Sequence, residues 1–136
     1  MRVIGAIIII LVLAIGIIPQ FTDCLSQGGA IELPGGATIP MRCHWTRQAE
    51  VAVAIPLGVV GMAMVASRRR HTQRVLSIVT MSLGLAAVLL PTYLIGVCAS
   101  EEMICVMVMK PTLILAGILT MAVGLVGLVY LRDDRT

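Results

Sequence analysis

The chain has 136 residues, of which 59% are hydrophobic and only 12% are charged. A soluble domain carries roughly 25% charged residues, so this composition excludes an ordinary soluble fold and places the chain in a bilayer. The formal charge of +3 is no sign of nucleic-acid binding, because basic residues beside membrane spans follow from topology and from anionic headgroups.

Four apolar runs occupy 3–18, 51–66, 75–97 and 112–131. With their flanks, each approaches or exceeds the roughly 20 residues that cross about 30 Å of hydrocarbon. They predict helices over about 3–19, 48–67, 75–97 and 111–131, joined by outer loops 20–47 and 98–110, all in one integral membrane domain spanning 1–136. The first run reads as an uncleaved helix rather than a signal peptide, because it exceeds the usual 7–15 residues or so and no small-x-small site follows. Pro56 and Pro91 fall inside the second and third runs, where neighbouring helices can satisfy the freed carbonyls, so kinks are expected there rather than breaks.

Basic residues orient the bundle. Arg2, Arg68, Arg69, Arg70, Arg74, Arg132 and Arg135 fall on one side, against Arg42, Arg47 and Lys110 on the other. The positive-inside rule then puts both termini in the cytoplasm of a multi-pass protein of the inner (plasma) membrane.

That orientation leaves Cys24, Cys43, Cys98 and Cys105 outside the cytoplasm. An even number of cysteines on the oxidising side reads as two disulfides. Pairing within each loop, Cys24 with Cys43 and Cys98 with Cys105, closes the shorter rings, and a cross-loop arrangement stays open. On one continuous helix the second pair would be separated by about 10 Å of rise, too far to bridge, so the third helix is expected to end near Cys98. In the first outer loop, Pro34-Gly35-Gly36 is a turn signal between the short runs 31–33 and 38–41, which suggests a β-hairpin. Cys105-Val106-Met107-Val108-Met109 could add a third strand by its alternation. The expected fold is therefore an all-α membrane protein, a four-helix transmembrane bundle with a small disulfide-stapled extracytoplasmic β cap.

The stretch MRCHWT, residues 41–46, joins that cap to the second helix. Thr46 suits an N-cap with Glu50 in the first turn, and Trp45 suits a membrane interface. His44 is left over. With Met41, Met107 and Met109, and with Cys43 and Met103 nearby in the outer segments, it could bind copper through imidazole and thioether donors, although methionine is also a common filler of apolar gaps. Beside Cys43 it could instead stabilise a thiolate in a thiol-disulfide oxidoreductase, whose quinone-linked membrane examples share this layout. The Cys-x-x-Cys of those enzymes is missing here.

A third reading is a non-enzymatic partner subunit without a cofactor. Ala116, Thr120 and Gly124, with Gly117 and Gly127, make one side of the fourth helix small enough for close approach, within the monomer or against a partner. No ionisable residue is expected in the middle of a helix, which argues against movement of a polar substrate by this chain alone.

The segment MRCHWTRQAE at 41–50, the upstream Cys24, four helices and this length resemble a family of small prokaryotic membrane proteins, domain of unknown function 4418. The resemblance spans essentially the whole chain and marks Cys24, Cys43, His44, Thr46 and Glu50. It implies no reaction. Members look like neighbours of ABC-type export permeases, so it implies an accessory or binding subunit that recognises a partner or ligand through its cap. The candidate functional residues are thus His44, Trp45, Thr46 and Glu50.

Overall fold

The computed structural model describes residues 2–22, 31–32, 34–36, 38–39, 42–95 and 105–134. Four long helices dominate: α1 (Arg2–Thr22), α2 (Arg42–Ala66), α3 (Arg70–Leu89) and α4 (Lys110–Asp133). All four are long and apolar enough to cross a membrane, and inside a bilayer a helix satisfies its backbone groups without outside help. The protein is therefore an all-α, multi-pass membrane protein whose outer surface meets lipid.

Two π-helical turns extend this framework at one end. The first, π1 (Leu90–Leu94), continues α3, and the second, π2 (Cys105–Met109), leads into α4. Each adjoins a proline, Pro91 within π1 and Pro111 just after π2. Proline lacks the N–H that would continue the ordinary ladder, so the winding widens locally instead of breaking.

Glycine approaches give the helix directions. Along α1 and α2, Gly5 lies against Val65, Ile9 against Gly61, Val12 against Gly58 and Gly16 against Ala54, so the two run antiparallel. Gly124 against Met81 and Gly117 against Val88 show the same for α3 and α4. Packing is more extensive within α1–α2 and within α3–α4 than between them, so the bundle is two helical hairpins laid together. Ile8, Ile15, Leu57, Met64, Met109 and Leu113 fill the core between them. Ala116, Gly117, Thr120, Gly124 and Gly127 are all buried, so the small side of α4 packs inside the monomer. At the other end from the π-turns, Arg70 pairs with Asp134 at 2.9 Å and Arg74 donates to the Leu131 carbonyl at 3.3 Å, tying the start of α3 to the end of α4.

Three expectations need correction. Helix α2 begins at Arg42, not near 48, because the polar stretch 42–50 packs one side inward and so winds as helix despite its weak hydropathy. Helix α3 begins at Arg70, since a basic first turn is tolerated where it faces water and the partner helix end. The segment 105–109 is π-helical, not a third strand, because it is continuous with α4 and its backbone ladder runs on into that helix. Short strands β1 (Ile31–Glu32) and β2 (Thr38–Ile39) do pair antiparallel, Ile31 with Ile39 and Glu32 with Thr38. Gly36, at φ 79°, supplies the left-handed residue in the turn between them.

Candidate functional site at the π-turn end of the bundle

Beginning α2 at Arg42 changes what Thr46 and Glu50 can do. Thr46 is a full turn inside the helix, not an N-cap, and Glu50 lies two turns in. Both are 0% exposed. They share the inward stripe of α2 with Ala54, Leu57 and Met64, at the three- and four-residue spacing that puts side chains on one helix side. The carboxyl of Glu50 is thus carried into the bundle, within the span Trp45–Ala66, and the expectation that no helix holds an ionisable residue internally is overturned.

Register shows what surrounds it. The α1–α2 series that ends with Gly16 against Ala54, extended by one turn, sets Gln20 level with Glu50. Pro19, Met109 and Leu113 are fully buried at this end, Pro91 is buried in π1, π2 packs on α1, and π1 packs on α2. Glu50 therefore lies toward the end of the bundle that carries the two π-turns.

Four other buried polar groups are satisfied inside their own chain segments. Ser77 donates to the Gln73 carbonyl at 2.9 Å, Thr80 to Leu76 at 2.8 Å and Thr120 to Ala116 at 2.8 Å, while Gln73 donates to the Ser67 carbonyl at 2.9 Å. Glu50 differs. Neither Oε1 nor Oε2 has a hydrogen-bond partner among the described residues, although buried carboxyl groups ordinarily find one.

A second feature lies on the lipid-facing side of α1 and α2. A Cβ added at Gly5 would come within 2.6 Å of the Val65 side chain, at Gly61 within 3.1 Å of Ile8, at Gly58 within 3.4 Å of Val12, and at Gly16 only within 3.8 Å of Ala54. The two helices thus part toward the end that carries the π-turns. A groove of about 420 Å³ opens there, lined by Val12, Gly16, Ile17, Ala54, Gly58 and Met62. Its outer mouth adds Gln20, Arg47 and Gln48.

Cys24, Cys98, Met41 and Met103 lie outside the described residues, as do the expected disulfides. Cys43 and His44 fall in the first turn of α2, and the helix formed by α3 and π1 ends at Leu94, short of Cys98. Trp45 is 54% exposed at the head of the span. Met109 is fully buried while Met107 is 67% exposed, so the strand alternation that would aim both thioethers one way is not formed. Among the described residues, no three His, Cys, Asp or Glu side chains come together.

The sequence pointed to Glu50 and misplaced its role. The signal that would have found its burial is the three- and four-residue stepping of Thr46, Glu50, Ala54 and Leu57, which continues the packed side of the helix past the apparent end of the apolar run.

The family model described as Domain of unknown function (DUF4418) matches residues 1–130, and the chain belongs to that family. No curated protein and no solved structure matches it.

Proposed function

We propose that this family member is a non-enzymatic accessory or binding subunit of a bacterial membrane complex, and that it seats a transmembrane helix of its partner in the groove between α1 and α2. The observation that carries this reading is the progressive separation of α1 from α2, which exposes the small residues Gly16 and Gly58 toward lipid. Lipid tails are as apolar as a leucine side chain, so helices associate in a bilayer through close packing, and small residues let backbones approach. The polar mouth at Gln20, Arg47 and Gln48 adds orientation at the membrane surface. Outside the membrane, a cap stapled by Cys24–Cys43 and Cys98–Cys105 extends the recognition surface. A partner of the ABC-type export permease class fits the family resemblance.

Photo-crosslinking in native membranes tests this. A photoreactive residue at Ile17 or Met62 should label the permease subunit, and Gly16→Leu, which fills the groove, should abolish both the label and co-purification. The same probe at Leu119 or Val126, exposed on α4, should label lipid alone. Equal protein labelling from both sides would refute groove docking.

A further inference from the structure

The groove leaves Glu50 unexplained, since its carboxyl faces the bundle interior and not the lipid. We infer that Glu50 is a binding site for a single monovalent cation, a proton or an alkali-metal ion, at the extracytoplasmic end of the bundle.

Three observations converge on this. Glu50 is fully buried, and both of its oxygens lack a hydrogen-bond partner among the described residues. An ionisable side chain held inside a membrane bundle usually serves a bound charge, because leaving it uncompensated is costly. The buried side chains at this end are otherwise mainly apolar, Pro19, Ala54, Met109 and Leu113, so few oxygen donors are available to the carboxyl. Thr46 places a buried hydroxyl one turn away on the same side of α2. The π-turns Leu90–Leu94 and Cys105–Met109 bring irregularly wound backbone to this level, and such turns recur at functional sites. The charge and size of the donor set select the ion. One carboxylate balances one positive charge, whereas calcium takes six to eight oxygens and magnesium holds a strict octahedron with several waters.

Other charges at that end of the packed elements are few. Among the described residues they are Arg42 and Arg47 on α2 and Lys110 at the head of α4, with Cys43 and His44 on α2, Tyr93 on π1 and Cys105 in π2 as further titratable groups. Helix α1 has no ionisable residue there. Lys110 is a cation at the head of α4 that would compete for the carboxyl if it extended inward, so it belongs in the test.

The test is modification of the full-length protein by a hydrophobic carbodiimide in detergent, with the adduct mapped by mass spectrometry. The carboxyl O–H adds across the carbodiimide N=C=N bond, its proton passing to nitrogen and its oxygen to carbon, so the reagent reads the cation-free, proton-bearing site. Modification should fall on Glu50 and be absent in Glu50→Gln. If the ion is sodium or potassium, that ion should slow labelling about tenfold at about ten times its dissociation constant, since only the unoccupied fraction reacts. The same ion should raise the thermal midpoint of wild type and not of Glu50→Gln. If the ion is the proton alone, labelling should follow pH and ignore both salts. Labelling of Glu50 that is indifferent to pH, sodium and potassium would overturn the inference. So would a Glu50 that reacts only in Lys110→Gln, because that would make Lys110 its partner.

Discussion

A side chain on Gly117 would meet the carbonyl of Gly84 at 3.0 Å, and a side chain on Gly84 would meet the carbonyl of Gly117 at 3.0 Å. Each glycine thus makes room for the other's backbone, and the α3–α4 hairpin closes on this reciprocal contact. Gly117→Ala would also bring its Cβ to 2.5 Å from Val88 Cγ2. We expect Gly117→Ala and Gly84→Ala each to lower stability by roughly 1–3 kcal/mol, the usual cost of overpacking. Gly16→Ala, with 3.8 Å to Ala54, should leave stability unchanged or slightly raised. Thermal unfolding in one detergent, comparing the three variants, checks the ordering; an equal loss in all three would show that the closeness at Gly84 and Gly117 is not what holds the hairpin.

Orientation follows from the distribution of arginine. A reporter enzyme active only outside the cytoplasm should work when inserted at Gly35 and fail at Arg70. The salt bridge between Arg70 and Asp134 is exposed, at 61% and 56% for the two side chains, so Asp134→Asn should change stability by less than about 1 kcal/mol and leave the topology intact. An active reporter at Arg70 would reverse the assignment of every cysteine.

The cysteines give a chemical test of the cap. Non-reducing mass spectrometry of protein from native membranes should find no free thiol, with peptides joined as Cys24–Cys43 and Cys98–Cys105. Cross-loop linkage would change the connectivity and preserve a stapled cap. A mixed disulfide trapped on Cys43 or Cys24 would favour a thiol-disulfide oxidoreductase over the accessory subunit.

His44 separates the remaining chemistries. For an accessory subunit, His44→Gln should keep folding, disulfides and complex assembly, with stability within about 0.5 kcal/mol of wild type. A copper site would instead lose its metal on this substitution, and Met107→Leu would weaken retention in parallel. Elemental analysis of the purified protein decides between them.

Membrane class, the number of spans and the family were legible in the residues alone, because a run of some 20 apolar residues is a local property that a bilayer reads directly. Where a helix begins in a polar stretch is not local: residues 42–50 look like a loop-to-helix junction until Thr46 and Glu50 are buried against the rest of the bundle. Tertiary structure therefore decided that Thr46 and Glu50 are interior, that Met107 and Met109 diverge, and that the small side of α4 is spent within the monomer. It also decided that α1 and α2 part toward the π-turn end, since a groove is set by the distance between two helices distant in sequence, and no periodicity within either helix encodes that distance.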